Sequence, residues 1–362
     1  MAIPGRKFRT WAGYGACSTI SPCYLRADSA YYMSGAAHFL VFAVWSALTW
    51  RSLARAQAAR GEQPSSEAAI RTAELGDVLF AGAAIIFVAM AVLIAFAVFG
   101  PARIRDRLSR PAIIYFAGIA FPVIVLTVLL SYTLGVPGSM KREAAPRLQI
   151  EVVGEIWWWR VRYQDASGSL WFETANEIRI PAGVPVDMVL KSDNVIHSFW
   201  APELGGKLDM IPGHVNRMTV QAEEPGVFHG VCAEYCGAQH AKMRFSVHAL
   251  APEAFDAWLS AQRRPAREAG PELQPGAERF VQACAACHTV RGTAAAGTSG
   301  PDLTHVGSRS SLAAGTLPNN VGALAGWIAA SQRIKPGNPM PSFDHWSGEE
   351  LRAVATYLQS LK

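Results

Sequence analysis

The chain has 362 residues and a formal net charge of +5, with 51% hydrophobic and 17% charged residues. That length gives room for two or three domains, and the composition is more apolar and less charged than an average soluble protein. The positive charge falls largely at the N-terminus and in one short loop, so it says little about docking, and no nucleic-acid partner is expected.

Residues 1–60 read as a leader, whose segment AAHFLVFAVWSALTW at 36–50 fits either a signal-peptide core or an extra span. Arg6, Lys7 and Arg9 keep its leading end inside. No apolar segment precedes Cys17, so it is not a lipidation site, and Cys17 and Cys23 are read as incidental.

Residues 61–140 read as a transmembrane helix hairpin. The stretches 78–100 and 111–136 carry no charge, and each is long enough for the roughly 20 residues a membrane helix needs. Between them, Arg103, Arg105, Arg107 and Arg110 outnumber the single Asp106, which places this loop in the cytoplasm. Everything after about residue 137 then lies outside a bacterial inner membrane, where disulfides, copper centres and covalent haem can all form.

Residues 141–262 alternate apolar and polar positions in short runs such as LQIEVVGEIWWWRVRYQD, broken by Gly, Pro and Asp. The pattern predicts a small antiparallel β-sandwich or barrel. Within it, GVCAEYCGAQHAKM at 230–243 has the spacing C-x3-C-x3-H-x2-M. A blue copper site needs only one thiolate, whereas two can bridge a pair of coppers. Each copper then takes one imidazole, so a second histidine must come from elsewhere, and His197 is the candidate. Cys232 and Cys236 would be the bridges, His197 and His240 the terminal ligands, and Met243 and a backbone carbonyl the weak ones. A disulfide is the competing reading, but it leaves His240 and Met243 unexplained.

RRPAREAGPELQ, 263–274, reads as a linker, and 275–362 as a helical module in which Leu351, Val354, Ala355 and Leu358 share one face. Its CAACH, Cys284 to His288, has the spacing for covalent attachment of haem c. Cys284 and Cys287 would reach the two vinyl groups and His288 would sit under the iron. Met340, on the Pro-bounded KPGNPMPSF loop, is the expected second axial ligand. His305 and His345 compete for that place, although a surface position suits each better. Pro301 is expected to offer its carbonyl to the ring N–H of His288.

On these residues the chain resembles subunit II of the haem-copper cytochrome c oxidases, in the variant with a fused C-terminal cytochrome c domain. The resemblance covers about residues 62–362 and includes the hairpin, GEIWWWRVRY, VIHSFWAPELGGKLDMIPG, the copper loop and the haem module. It implies a membrane-anchored multidomain chain: a two-helix transmembrane hairpin, an all-β cupredoxin-like sandwich and an all-α class I cytochrome c domain. It also implies a binuclear copper centre, CuA, at the residues named above. Glu234 would supply the backbone carbonyl, and its carboxylate would help hold a magnesium ion shared with subunit I. Trp157 matches the aromatic residue through which electrons reach the copper, while Trp158 and Trp159 are read as sandwich packing.

Three departures from the family stand out. Glu155 and Ile156 replace the usual His-Gln before the tryptophans, Asn194 replaces an Asp three residues before His197, and Tyr115 stands where many members have a glutamate that admits protons. That proton role is not carried over.

Neither span contains a histidine, so an oxygen-reducing haem-copper site must belong to a partner. The expected role is therefore electron delivery, from cytochrome c or a similar donor through haem c and CuA to subunit I of a proton-pumping cytochrome c oxidase, with subunit III as a further partner. A nitric oxide reductase subunit is the alternative, and a membrane-tethered copper carrier a weaker one. Quinol oxidase subunits lack these copper ligands and are excluded. The acidic residues Glu173, Glu177, Glu203, Asp209, Glu223 and Glu224 are either a docking patch for a basic cytochrome or ordinary solvated edges.

Overall fold

The computed structural model describes residues 64–139, 148–165 and 167–362. The readings of residues 1–60, including the segment 36–50, Cys17 and Cys23, lie outside them.

The first apolar run folds as helix α1, Glu67–Phe99, which starts well before the uncharged stretch. Ser66 explains the early start. Its hydroxyl accepts from the Ala69 N–H at 3.0 Å, and Glu67 adds an acidic group to the first turn. The Ser66 Oγ also donates to the Leu204 carbonyl at 2.9 Å, and the Ser65 N–H donates to the Glu203 carbonyl at 2.8 Å. These bonds tie the foot of the helix to the β-domain.

The arginine-rich loop holds a short helix, α2, Ala102–Leu108. The second run continues as α3, Pro111–Tyr115, a π-turn at Phe116–Ala120, and α4, Phe121–Ser139. Pro122 has no N–H to offer the preceding turn, and the wider π-turn lies just ahead of it. The helices Glu67–Phe99 and Pro111–Leu134 are long and apolar enough to cross a membrane.

Ten strands build the sandwich: β1 Gln149–Glu155, β2 Trp158–Gln164, β3 Leu170–Ala175, β4 Glu177–Pro181, β5 Val186–Ser192, β6 His197–Trp200, β7 Leu208–Met210, β8 Asn216–Val220, β9 Gly226–Cys232 and β10 Arg244–Leu250. One sheet has the order β3-β2-β1-β5-β8 and the other β4-β10-β9-β6-β7. The expectation of a wholly antiparallel sandwich is corrected at two places, since β1–β5 and β4–β10 pair parallel. In each parallel pair the chain visits other strands before returning, so it can come back in the same direction.

Along β2, Trp159, Val161 and Tyr163 are fully buried at period-two spacing. Trp159 meets Phe199 and Phe245 edge-on at 6.0 and 5.1 Å, as its role in packing predicts. The opposite face carries charge. There Arg160 pairs with Glu155 at 2.9 Å and Glu173 at 2.6 Å, and Arg162 pairs with Glu151 at 2.8 Å. Helix α5, Pro252–Gln262, closes the sandwich with Phe255 and Trp258, whose ring lies 5.3 Å from that of Tyr163.

The helical module packs α6, Gln274–Ala283, α7, Val321–Ile334, and α8, Gly348–Ser360, around Phe280, Leu324, Ile328, Val354, Tyr357 and Leu358. A side chain at Gly276 would place its Cβ 2.2 Å from the Ala353 carbonyl oxygen, so only glycine allows α6 and α8 this close. Ser347 and Glu350 form a reciprocal capping box that starts α8.

The segment that composition marks as a linker is pinned over its first residues. Arg291 Nη2 donates to the Gln262 carbonyl at 2.6 Å, the Ala266 N–H donates to the Arg291 carbonyl at 2.9 Å, and His305 Nε2 donates to the Arg264 carbonyl at 3.1 Å.

Candidate copper and haem sites

Pairing of β6 with β9 sets Phe199 opposite Cys232 and brings His197 beside the thiol. After Cys232 the chain loops out to Cys236, turns through a 3-10 helix at His240–Lys242, and returns at Met243 into β10. The Cys232 N–H donates to the Met243 carbonyl at 3.0 Å and closes the loop.

Four of the predicted ligand pairs meet here: Cys232 Sγ lies 3.8 Å from His197 Nδ1 and 3.7 Å from Cys236 Sγ, which is 3.5 Å from His240 Nδ1 and 3.8 Å from Met243 Sδ. The Glu234 carbonyl oxygen is 3.1 Å from Cys232 Sγ. Both cysteines are free and buried, so no disulfide forms. The Glu234 carboxylate points elsewhere, 3.9 Å from Lys207 Nζ.

Hydrogen bonding with Cys236 outweighs burial and, helped by His197, holds the Cys232 thiol well below the ordinary range. The same hydrogen bond, with burial, pushes Cys236 up.

Asn194 answers the question its departure raised. Its Oδ1 lies 3.0 Å from His197 Nε2, and an amide oxygen can only accept, so the proton sits on Nε2 and Nδ1 keeps its lone pair toward the thiols. Gly154 is a residue that sequence reasoning missed: a Cβ there would lie 2.6 Å from His197 Cδ2. Two thiols, two imidazole nitrogens and a thioether form a soft donor set, and that set fits copper.

A cavity of about 250 Å³ opens in the helical module, with Cys284, Cys287, His288 and Met340 among its lining residues. His288 Nδ1 donates to the Pro301 carbonyl at 2.9 Å, the contact expected from sequence, and leaves Nε2 free. Burial lowers the His288 pKa and favours the neutral ring that a ligand must be. A Cβ at Gly300 would lie 2.6 Å from the same ring. The Met340 carbonyl accepts from Ser331 Oγ at 2.9 Å and from Gln332 Nε2 at 2.7 Å, which fixes its loop.

Neither His305 nor His345 lines the cavity. His345 is exposed, whereas His305 is buried and held by Arg264, so the surface position expected for His305 is corrected. Arg309, which carries no motif, lines the cavity as well. It donates from Nη2 to the Asp302 carbonyl, yet its Nε is cut off from water and unpartnered among the described residues. An unmet N–H, an apolar wall, a C-x-x-C-H pair of cysteines and two candidate ligands lining one cavity fit a covalent haem.

The two sites share a wall. Trp157 is buried, its Nε1 donates to the Cys236 carbonyl at 2.8 Å, and it also lines the cavity. Trp158 lines the cavity too, with the Arg160 guanidinium 4.7 Å from its ring centroid, so its assignment to sandwich packing is corrected. Alternation along β2 turns it to the face opposite Trp159, where the helical module covers it. The acidic residues do not make one exposed patch, because Glu173 pairs with Arg160 and Arg162 while Glu177 and Glu203 are buried.

A family model described as "Cytochrome C oxidase subunit II, periplasmic domain" matches residues 167–250, and one described as "Cytochrome c" matches 273–362. The cytochrome c oxidase subunit 2 of Bacillus sp. (strain PS3) is 30% identical over 67% of this chain and 72% of its own length. That of Bacillus subtilis (strain 168) is 32% identical over 67% and 70%. The chain belongs to the cytochrome c oxidase subunit 2 family. The subunit 2 of Alkalihalophilus pseudofirmus is 40% identical over 59% of this chain, and the match spans 61% of that relative's length. The thiol loop of this subunit 2 chain falls inside the periplasmic-domain match, and Cys284, Cys287, His288 and Met340 fall inside the cytochrome c match.

Proposed function

We propose that this chain is the electron-delivery subunit of a proton-pumping cytochrome c oxidase, with CuA in the β-sandwich and haem c in the helical module. Trp157 carries this reading, since one indole hydrogen-bonds the copper loop and lines the haem cavity.

Cys232 and Cys236 would bridge two coppers, with His197 and His240 at the ends and Met243 and the Glu234 carbonyl as weak donors. Cys284 and Cys287 would tether the haem, with His288 and Met340 on its two faces. Bound in these places, the two groups take up and release single electrons. The chain's own residues hold both groups, keep the thiols buried beside Met243, and keep the ring of Trp157 between them. Electrons come from cytochrome c or a similar donor and pass on to the oxygen-reducing site of subunit I, with subunit III as a further partner. The Glu234 carboxylate, half-exposed beside Lys207, would share a magnesium ion with subunit I. The helices 67–99 and 111–134 would span the bacterial inner membrane twice, leaving both cofactor domains outside.

Purification of the native complex tests this. Haem should remain on the denatured polypeptide, electron paramagnetic resonance should show hyperfine coupling to two copper nuclei, and reduced donor should drive oxygen uptake. Coupling to one copper nucleus, or turnover with nitric oxide instead of oxygen, would overturn the reading.

A further inference from the structure

The segment QRIKPGNPM, 332–340, runs from the last turn of α7 into the loop that ends at Met340, with Lys335 just past the helix. Lys335 is only 2% exposed. Its Nζ donates to the carbonyls of Trp157 at 2.7 Å, Lys242 at 3.1 Å and Ala313 at 3.3 Å. An ammonium has three protons to place, and here all three are placed. Two of the acceptors belong to the β-sandwich: Trp157 itself, and Lys242, in the turn between His240 and Met243.

No carboxylate pairs with Lys335 among the described residues, so its hydrogen bonds all go to backbone carbonyls. Burial, with the neighbouring charge of Lys242, lowers its pKa to about 8. A buried ammonium without a counter-ion is a poor way to gain stability, because an apolar side chain of the same length would avoid the desolvation cost. What it supplies is direction, since three carbonyls from three segments meet at one point.

The neighbouring residues reach the same surface. Gln239 Nε2 donates to the Pro336 carbonyl at 2.9 Å, and Lys242 Nζ donates to the Ile334 carbonyl at 2.6 Å. Gly337 lies against Trp157, with its φ at +80° and an ideal Cβ 3.5 Å from the ring. The segment that ends at Met340 is thus fastened, residue by residue, to the turn that carries His240.

We propose that Lys335 is a positioning residue that locks the Met340 loop of the haem module onto Trp157 and the copper-ligand turn, so that the two cofactor domains hold one fixed spacing. The inference rests on the reading of the two sites as copper and haem centres. It adds a specific device: without Lys335 the two domains remain connected through 263–273, but the loop loses its common point with Trp157 and Lys242.

The full-length holoprotein with Lys335→Met tests the proposal. Its covalent haem content and the two-copper hyperfine pattern should match the unsubstituted protein. The relaxation enhancement of the copper signal by oxidised haem should fall, and photo-initiated electron transfer from haem to copper should slow about tenfold or more. Unchanged relaxation and rate would overturn it.

A second measurement needs no variant. An amine-acylating reagent on the detergent-solubilised full chain should label Lys335 at least about tenfold more slowly than the exposed Lys207 and Lys362, because reaction requires local opening. Equal labelling would overturn the lock. Absence of the two-copper signal in the unsubstituted protein would instead defeat the underlying site assignment, so the two failures are distinguishable.

Discussion

Trp157 and Cys236, 79 residues apart in sequence, are joined by a 2.8 Å hydrogen bond from the indole N–H to the cysteine's carbonyl. Trp157→Phe keeps an aromatic ring in the shared wall but leaves that carbonyl unpaired, at a cost of about 1–3 kcal/mol. The expected outcome is slower reduction of the copper centre in stopped-flow experiments, with the haem spectrum unchanged. A rate equal to that of the parent protein would show that the indole N–H plays no part in delivery.

Asn194 sets the tautomer of His197, so replacement should act on metal affinity more than on folding. Asn194→Leu removes the acceptor 3.0 Å from Nε2. Copper affinity, measured by competition with a chelator, should fall about 10–100-fold. Asn194→Asp, which keeps an acceptor oxygen there, should retain tight binding.

Gly154 stands behind the same ring, where a methyl group would sit 2.6 Å from Cδ2. The His197 ring would have to move, and it is fully buried. Gly154→Ala should therefore cost about 1–3 kcal/mol in stability and weaken copper binding together with it. Thermal melts with and without copper measure the two effects, and a larger loss in the copper-loaded protein is expected.

Some of this was legible in sequence for clear reasons. The thiol loop carries Cys232, Cys236, His240 and Met243 within one turn, so spacing alone brought them together, and Cys284 to His288 were equally local. The rest depended on long-range neighbours. Trp158 faces the haem cavity because the helical module covers that side of β2, and alternation cannot say what covers a face. Gly154 matters only once β1 and β6 are brought together around His197, whereas Asn194, three residues from that histidine, already stands out in the sequence. The early start of α1 lay in a single cap residue, Ser66, placed ahead of the apolar run. Lys335 reads as an ordinary solvated charge until three distant carbonyls are seen around it.

The charged face of the first sheet should make the β-domain sensitive to acid. Burial alone would raise the Glu151 carboxyl, but Lys191 at 2.6 Å and Arg162 at 2.8 Å outweigh it and hold it below its ordinary value of 4.5. The unfolded chain therefore binds more protons than the folded one in this range. The stability this group contributes is present above about pH 4.5 and is lost as the pH falls through the folded value. Glu151→Gln should flatten the acid limb of a stability-versus-pH curve measured by denaturant titration.

Glu177 offers a separate test of how the helical module is held. It lies on β4, only 4% exposed, and accepts from the Ser310 N–H at 2.5 Å, the Ser310 hydroxyl at 2.6 Å and the Ser311 N–H at 3.2 Å. These donors belong to the loop that follows Arg309, so one carboxylate ties the sandwich to the edge of the haem cavity. Glu177→Ala removes the acceptor and leaves the donors to find water, at a cost of about 1–3 kcal/mol each where they stay buried. Because Lys335 makes its own bonds to the Trp157 and Lys242 carbonyls, the substitution should not release the module completely. Calorimetry of the full chain should show the haem module melting earlier in Glu177→Ala, and earlier still when Lys335→Met is added. A melting temperature unmoved by Glu177→Ala would mean that the contact contributes nothing to docking.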